Sequence, residues 1–376
     1  MIANNCNPVR IALFLPTLGG GGAERVTLML AKGLMQEGGV SVDIVVGNAE
    51  GPNLKEVPTG VRLINLKRRR MIFTIVPLGR YLRAEKPDVL LSVLNYANVV
   101  AIIASAISFS RIKTVVVNHV HLTSALTRMG PIRSKLLLFL MRLVYPHAHA
   151  VVNVSKGVAS DLAQHIRLPV GRTHVIGNPV VDQSLLRKSR QPADHPWLGN
   201  PDRPSIVAVG SLIALKDFPM LLQAMVIVKN NSSARLIILG EGQQRGQLQQ
   251  LIGELGLKDV VDMPGFVPNP YSYMSRASVL ALSSRWEALP TVLIEALACG
   301  VPIVATDCPC GPSEILEDGK YGRLVPVGDS PAMARALLDA LQGKVLAPPP
   351  TSWKPYIIER ATGEYLKLFE IDRIIS

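Results

Sequence analysis

The sequence predicts an α/β protein with two doubly wound parallel-sheet domains that face each other across a cleft. Short apolar segments typical of buried strands alternate with longer segments of helical periodicity in both halves of the chain. A polar, proline-rich stretch from about residue 185 to residue 204 separates the halves and indicates a linker. The length of 376 residues corresponds to about two domains. We expect an N-terminal domain over 1–180, a C-terminal domain over 181–350, and a final helix within 351–376 that packs back on the N-terminal domain.

Each element is predicted from its local pattern of apolar residues. In the first half we expect a helix over 23–36 and strands at 10–15, 41–46, 89–94, 114–117 and 150–154. In the second half we expect a last helix over 355–371 and strands at 206–210, 235–240, 279–283 and 302–306. Continuous apolar strands separated by helices are typical of parallel sheets that are covered on both faces.

One uncharged segment, 89–110, reaches the ~18–20 residues that span a membrane. Asn95, Tyr96 and Asn98 interrupt it, so we expect a buried strand and then a buried helix, with Asn95 as a candidate helix cap. No secretory signal is expected, because the first apolar run is short and ends in glycines.

Composition excludes several classes of protein. Hydrophobic residues make up 48% and charged residues 18%, which excludes a disordered chain. Four cysteines without a C-x-x-C pair exclude a disulfide scaffold, and a zinc site is not expected. We expect four reduced thiols, at Cys6, Cys299, Cys308 and Cys310, in a cytoplasmic protein. Aromatic residues at 5% are too sparse to stack nucleic-acid bases, so nucleic acid is not an expected partner.

The excess positive charge lies in the first half of the chain. Residues 1–180 hold 21 Lys and Arg against eight Asp and Glu, whereas residues 181–376 hold 19 against 20. A domain with this much positive charge attracts an anionic partner. Among anionic partners, we favour a membrane surface or a lipid phosphate. Two segments fit this partner, the cationic run Lys67–Arg70 and the apolar segment Arg133–Tyr145 with its basic ends. The alternatives are a solvated loop for the first and a core-facing helix for the second.

Three segments contain candidate site residues. Four glycines at 19–22 lie between a strand and a helix, where backbone N–H groups approach an anion closely, although a flexible loop is the alternative. Lys216 follows a strand and precedes a helix, a position from which a lysine can neutralise a diphosphate. The alternative is an ordinary surface lysine. Glu287 and Glu295 would lie roughly 12 Å apart if both were helical, too far for a glycosidase pair. Glu295 stands in an apolar run, where a buried carboxylate needs a partner, and a ligand hydroxyl is favoured over a solvated helix face.

These segments resemble the family 4 glycosyltransferases, whose two Rossmann-like domains form the arrangement called GT-B. The resemblance covers about residues 10–370 and is most specific over 279–329. The matching segments are Gly21–Glu24, Asn178–Val180, Leu239–Gly242, the E-x7-E pair Glu287 and Glu295, Ala305–Leu316 and Gly322–Asp329.

The resemblance implies transfer of a hexose or N-acetylhexosamine from a nucleotide diphosphate sugar, with retention of configuration and without a metal or other cofactor. A UDP-sugar is favoured over a GDP-sugar. It implies that Lys216 binds the diphosphate, Glu287 faces the transferred sugar and Glu295 binds the ribose hydroxyls. His119 would lie near the reacting sugar, with His121 as its competitor or a structural role as the alternative. Further donor-binding residues are expected at Gly21, Gly22, Gly210, Ser211, Arg285, Ala288, Leu289, Pro290 and Thr291.

The sequence departs from the family at two positions. Ser211 stands where Arg is common, so one diphosphate cation is missing and Arg285 is a candidate substitute. Ala288 stands where Gly is common, and its methyl group would alter donor choice. The expected acceptor is a lipid-linked sugar or a glycolipid of polysaccharide or lipopolysaccharide assembly, bound at the inner face of the membrane.

Three alternatives stay open, and the sequence leaves the oligomeric state undetermined. The chain could be a soluble enzyme that glycosylates a small metabolite, a catalytically silent binding protein of the same shape, or a nucleotide-sugar epimerase.

Overall fold

Two parallel β-sheets, one in each of two units, organise the chain in a computed structural model that describes residues 8–370. The N-terminal unit comprises the chain up to Pro179 and again from Ile358 onward, and the C-terminal unit comprises Val180–Ile357. The chain therefore passes between the units within Asn178-Pro179-Val180 and returns after Ile357, later than the boundary at residue 350 that we expected. Cys6 lies outside the described residues.

The N-terminal unit is built on a seven-stranded parallel sheet with the strand order β3-β2-β1-β4-β5-β6-β7. Its strands are β1 (Val9–Leu15), β2 (Val40–Val46), β3 (Arg62–Asn65), β4 (Val89–Val93), β5 (Lys113–Asn118), β6 (Ala150–Asn153) and β7 (Thr173–Val175). Its helices are α1 (Gly22–Gln36), α2 (Ile75–Glu85), α3 (Asn95–Ser108), α4 (Leu122–Thr127), α5 (Pro131–Val144) and α6 (Lys156–His165).

The C-terminal unit is built on a six-stranded parallel sheet with the strand order β10-β9-β8-β11-β12-β13. Its strands are β8 (Ser205–Val209), β9 (Arg235–Leu239), β10 (Val261–Gly265), β11 (Val279–Leu282), β12 (Ile303–Thr306) and β13 (Arg323–Val325). Its helices are α7 (Gln183–Ser189), α8 (Phe218–Asn231), α9 (Arg245–Glu254), α10 (Pro270–Met274), α11 (Thr291–Cys299), α12 (Pro312–Ile315) and α13 (Ser330–Leu341).

A last helix, α14 (Ile358–Leu368), belongs to the N-terminal unit and packs on α1. The two helices approach so closely that a Cβ on Gly33 of α1 would overlap Thr362 Oγ1 and would lie 2.6 Å from Ile358 Cγ2. A glycine within α1 therefore sets the distance between these two helices.

The uncharged segment 89–110 is a strand followed by a helix, as predicted. β4 is buried along its whole length, and α3 contributes nine buried residues to the unit. Leu94 occupies the cap position and Asn95 is the first residue of α3, so the helix begins one residue earlier than we predicted. Among residues 8–370, no helix combines the length and the apolar character needed to cross a bilayer.

The proline-rich stretch that we interpreted as a linker is instead part of the C-terminal unit. His195 Nε2 lies 2.9 Å from Oδ2 of Asp262, the second residue of β10, and the guanidinium of Arg235 lies 4.8 Å from the centre of the Trp197 ring. Tyr273 Oη donates a hydrogen bond to the carbonyl of Asp194. The linker prediction was wrong because prolines and polar residues are typical of any irregular surface segment, whether or not aromatic side chains anchor it.

Candidate active site

Two loops meet at the carboxyl ends of adjacent strands β8 and β11 in the C-terminal unit. Ser283 Oγ donates a 2.7 Å hydrogen bond to the carbonyl of Lys216, and the backbone N–H of Arg285 donates to the carbonyl of Leu215 at 2.9 Å. Ligands of open α/β sheets bind at these carboxyl ends. The two bonds therefore fix the two loops to each other where a ligand is expected.

Lys216 and Glu287 form an ion pair at this edge. Lys216 Nζ lies 2.7 Å from Glu287 Oε1, and the side chains are only 18% and 10% exposed. Ser284 Oγ donates to the same carboxylate oxygen at 2.6 Å, and Thr306 Oγ1 donates to the carbonyl of Ser284. Two predicted site residues, 71 positions apart in the sequence, are thus in direct contact and supported by a buried serine.

Glycines let the backbone pack tightly around Lys216. A Cβ on Gly210 would lie 3.3 Å from Cε of Lys216, so the lysine stem runs across the glycine. A Cβ on Gly240, where φ is +143°, would overlap the carbonyl oxygen of Gly210. A Cβ on Gly242 would lie 2.5–2.8 Å from the backbone of Leu212. The turn after β9 therefore supports the lysine loop through backbone contacts that any larger residue would push apart.

Arg285 is oriented by a buried carboxylate. Its Nε donates a 2.7 Å hydrogen bond to Asp217 Oδ2, and Asp217 is buried with a left-handed φ of +46°. Ser211 stands where the family commonly has the arginine that Arg285 was expected to replace. It is exposed, two residues after the end of β8. Because Asp217 engages Nε, the two terminal nitrogens of this 53% exposed side chain are the atoms available to a ligand.

Glu295 and Glu287 do not share a helix. α11 begins at Thr291, with Pro290 at the cap position, and ends at Cys299, with Gly300 as its C-terminal cap. Glu287 lies in the loop before the helix, so the separation that we calculated for two helical carboxylates does not apply. Glu295 lies one turn inside α11 and is 4% exposed.

The segment Ala288-Leu289-Pro290 leads into α11 and is supported from the opposite side. A Cβ on Gly311, where φ is +92°, would overlap Pro290 Cδ and lie 3.1 Å from the carbonyl oxygen of Ala288. Leu289 and Pro290 are buried, and Ala288 is partly exposed. The loop after β12 therefore fixes the backbone from which α11, with its partial positive N-terminus, begins.

The three described cysteines are free thiols. Burial, and to a lesser degree the charge of Glu287, raises the pKa of Cys308 to about 12. Burial raises the pKa of Cys299 to the same value. Both thiols therefore stay protonated at neutral pH, which makes them poor nucleophiles. Among residues 8–370, no group of three His, Cys, Asp or Glu side chains is arranged to hold a metal ion.

In the N-terminal unit, Gly21 and Gly22 lie where β1 passes into α1. Gly21 is the cap residue of α1, with a φ of −81° that any residue adopts, and Gly22 is its first residue. A Cβ on Gly22 would meet no protein atom within 4 Å. The backbone of the chain therefore does not require glycine at position 22, and the space beside it is open to a ligand. Burial raises the pKa of Glu24 in the same turn.

His119 follows β5 directly at the carboxyl edge of the same sheet. Burial lowers the pKa of His119 to about 4, so its imidazole is neutral at physiological pH. His121, the competing residue, has a local structural role, because its Nδ1 lies 2.8 Å from Ser124 Oγ and accepts from the Ser124 backbone N–H at the start of α4. Its Nε2 lies 3.4 Å from the buried Asp161. His119 is therefore the better candidate for contact with a substrate.

Sequence reasoning missed three residues of this region. Ser284 orients Glu287, and Asp217 orients Arg285. Of these two, only Ser284 comes shortly after a predicted strand, which is the one sequence signal that pointed to it. Phe266 follows β10 at the carboxyl edge of the C-terminal sheet and is 78% exposed. An exposed aromatic ring at this edge suits stacking on a planar ligand group.

Comparisons with known proteins agree for the two halves of the chain. Residues 20–183 match the family described as "Glycosyltransferase Family 4", and residues 190–360 match "Glycosyl transferases group 1". A relative from Campylobacter jejuni, an N-acetylgalactosamine-N,N'-diacetylbacillosaminyl-diphospho-undecaprenol 4-alpha-N-acetylgalactosaminyltransferase, is 28% identical and covers 89% of this chain and 90% of its own.

Two solved structures share the fold. The lipopolysaccharide outer core galactosyltransferase WaaB has a TM-score of 0.71 at 18% identity and covers 96% of this chain and 99% of its own. HepE from Anabaena, solved with UDP and glucose, has a TM-score of 0.70 at 21% identity and covers 97% of each chain. At these identities the likeness concerns the fold, and it confirms the predicted pair of parallel-sheet α/β domains.

Proposed function

Because the chain belongs to the family 4 glycosyltransferases, with their GT-B fold, we propose that it transfers a hexose or N-acetylhexosamine from a nucleotide diphosphate sugar to a lipid-linked acceptor. The C-terminal unit binds the donor and the N-terminal unit binds the acceptor. The observation that supports this proposal best is the Lys216–Glu287 pair, a half-buried cation and carboxylate at the carboxyl edge of the C-terminal sheet.

The chemical demand of the reaction matches these groups. As the bond between the anomeric carbon and the phosphate oxygen breaks, negative charge grows on the diphosphate and positive charge on the sugar ring. In this proposal, Lys216 and the N-terminus of α11 stabilise the diphosphate, because preorganised donors in a partly buried site cost no reorganisation. Glu287 keeps Lys216 oriented and faces the transferred sugar.

Glu295 is the proposed partner of the donor ribose. It is the second carboxylate of the E-x7-E pair and is 4% exposed within α11. A carboxylate accepts hydrogen bonds from two neighbouring ribose hydroxyls. Phe266, exposed beyond β10, is a suitable stacking surface for the nucleotide base, and UDP is the first nucleotide to test.

Retention of configuration is the proposed stereochemical outcome. The acceptor hydroxyl attacks the anomeric carbon from the side on which the diphosphate leaves, so the new glycosidic bond has the old configuration. The hydroxyl proton passes to a phosphate oxygen, and the nucleoside diphosphate departs. No metal is proposed, and the neutral imidazole of His119 serves as a hydrogen-bonding group toward the sugar.

The acceptor is the second part of the proposal. The Campylobacter relative acts, by its name, on a diphospho-undecaprenol-linked sugar, which supports a lipid-linked acceptor here. The positive charge of the N-terminal half suits a diphosphate-bearing lipid, and this half also contains Gly21 and Gly22, whose backbone N–H groups lie at the start of α1. The proposed reaction takes place at the inner face of the membrane.

The experiment compares Lys216→Ala with Lys229→Ala. Lys229 also forms a 2.7 Å ion pair, with Asp259, but it lies near the end of α8, away from the carboxyl ends of the strands. We expect Lys216→Ala to lower kcat/KM for the donor at least 100-fold, on the scale of ~2.7–4 kcal/mol for one lost transition-state donor. Lys229→Ala keeps the wild-type value. Equal values for the two variants would remove Lys216 from the mechanism.

Glu295 is tested by binding rather than by rate. Screening UDP- and GDP-sugars by thermal shift identifies the nucleotide, and calorimetry then measures its affinity for the wild type and for Glu295→Ala. We expect the affinity to fall at least about tenfold, because two hydrogen bonds to a charged group are lost. A donor that binds both proteins equally would place the ribose elsewhere, and the absence of any nucleotide binding would favour a different activity.

A further inference from the structure

Helix α5 has an apolar surface on the side that faces away from the core. Leu137, Met141 and Val144 are buried in the N-terminal unit. On the opposite side Ile132, Leu136, Phe139 and Leu143 recur at helical spacing and are 82%, 56%, 62% and 57% exposed. These four residues form a continuous outer stripe, because positions i, i+4, i+7 and i+11 lie on one face of a helix. Soluble proteins rarely leave such a row of large apolar side chains in water.

Cations flank this outer stripe on both sides. Arg133 lies on one flank, Lys135 and Arg142 lie on the other, and all three are exposed. No Asp or Glu occurs anywhere between Asp88 and Asp161. The helix therefore combines an outward apolar row with positive borders, and no acidic residue nearby in sequence compensates this charge.

A second exposed apolar group lies where the chain enters α2. Ile72, Phe73 and Val76 are 61%, 58% and 53% exposed, and the exposed run Lys67–Arg70 comes just before them. The backbone N–H of Arg68 donates to the carbonyl of Gly47, just after β2. This bond places the basic run at the carboxyl edge of the sheet.

Helix α3 connects the two exposed groups, because it packs against α2 on one side and against α5 on the other. Tyr96, in the first turn of α3, is 46% exposed, and its hydroxyl lies 3.4 Å from Sδ of Met129, two residues before α5. The first turn of α3 and the start of α5 therefore both lie at the carboxyl edge. The same edge contains Gly21, Gly22 and His119.

We propose that these two groups and Tyr96 form one docking surface for an anionic lipid bilayer. The apolar side chains of the outer stripe and of Ile72, Phe73 and Val76 insert among the acyl chains near the headgroups, while the flanking cations contact lipid phosphates. This inference rests on the proposed function, since a lipid-linked acceptor places the reaction at a membrane. Beyond the proposed function, it identifies the residues that contact the bilayer and requires that the lipids be anionic.

Flotation of the full-length protein with vesicles of phosphatidylcholine, with and without phosphatidylglycerol, tests the surface. We expect the wild type to float with the anionic vesicles only, and less so at high salt. The double variant Phe139→Glu with Leu143→Glu should lose at least about tenfold in affinity. Val170→Glu is the matched control, because Val170 is fully exposed in the loop before β7, and we expect it to float as the wild type does.

The cations are tested separately. Each basic residue near an anionic surface strengthens binding about fivefold, so Arg68→Gln with Arg70→Gln should weaken binding about 25-fold. Lys320→Gln with Lys344→Gln removes two exposed lysines from the C-terminal unit and should change nothing. Equal flotation of the wild type with neutral and anionic vesicles would overturn the proposal.

Two further outcomes separate this inference from its alternatives. If the Phe139→Glu, Leu143→Glu protein floats like the wild type but changes from dimer to monomer in light scattering, the stripe joins two copies of the chain and the proposal is wrong. Thermal shift with UDP- and GDP-sugars reads out the donor site independently of lipid. Flotation as expected without nucleotide binding would therefore refute the proposed function and leave the docking surface intact.

Discussion

At the scale of single residues, the candidate site depends on polar side chains that hold one another in a partly buried setting. Glu287 accepts from both Lys216 and Ser284, and Asp217 restrains Arg285. That Lys216, Glu287 and Glu295 are candidate site residues could be predicted from the sequence, because they match a family motif. The contact between Lys216 and Glu287 could not, because a hydrogen bond between residues 71 positions apart depends on which strands become neighbours.

Ser211 offers a prediction at this scale. It is exposed at the end of β8, five residues before Lys216, so an arginine fits there without repacking. We expect Ser211→Arg to strengthen UDP binding about fivefold, or ~1 kcal/mol, because a charge-assisted hydrogen bond to the diphosphate is gained at an exposed position. Calorimetry measures the change, with Ser211→Gln as an uncharged control of similar length. Equal affinities for the two variants would show that the diphosphate does not lie beside this residue.

At the scale of elements, glycines divide into those that the chain itself needs and those that it does not. Gly240 and Gly311 have positive φ values and touch neighbouring loops, so the fold requires them. Gly22, the first residue of α1, has no positive φ, and a Cβ on it would contact no protein atom within 4 Å. Since the fold does not require this glycine, we propose that a ligand approaches the backbone at the start of α1.

Gly22→Ala separates stability from activity. Alanine should raise the free energy of unfolding by about 0.5–1 kcal/mol, because it restricts the unfolded chain and meets no protein atom in the folded one. Activity should fall at least about tenfold if a substrate group occupies the space beside the backbone. Denaturant unfolding and steady-state kinetics measure the two effects. A more stable enzyme with unchanged kcat/KM would exclude Gly22 from the site.

At the scale of the whole molecule, the chain leaves its N-terminal unit at Pro179 and returns to it at Ile358. The C-terminal helix α14 therefore completes a core begun by the first 179 residues. Its buried face includes Ile358, Ala361, Tyr365 and Leu366, and it lies against α1. The free energy of unfolding of the first unit thus depends on residues at the opposite end of the sequence.

Gly33→Ala tests this dependence. Although alanine favours a helix, its methyl group would overlap Thr362 and lie 2.6 Å from Ile358 Cγ2, so α14 must shift. Overpacking of this kind typically costs ~1–3 kcal/mol, and we expect the thermal midpoint of the variant to fall by several degrees. Gly38→Ala serves as the control, since a Cβ there meets nothing within 4 Å. Equal melting temperatures for the two variants would show that α14 does not constrain α1.

The sequence alone determined the two α/β sheets, their central strands and the motif of the candidate site in the C-terminal unit. The four strands that it did not predict, β3, β7, β10 and β13, are the four edge strands of the two sheets. Edge strands are half solvated, so they have mixed burial and lack the continuous apolar run by which a central strand is recognised.

Tertiary structure decided the rest. It showed that the proline-rich segment belongs to the C-terminal unit, that Glu287 precedes rather than enters its helix, and that Lys216 and Glu287 are in contact. It also placed the exposed apolar residues of α5 opposite the buried ones. The physical reason is the same in each case. Local patterns record how much of a segment is buried, whereas partners distant in sequence are chosen only when the strands take their order in the sheet.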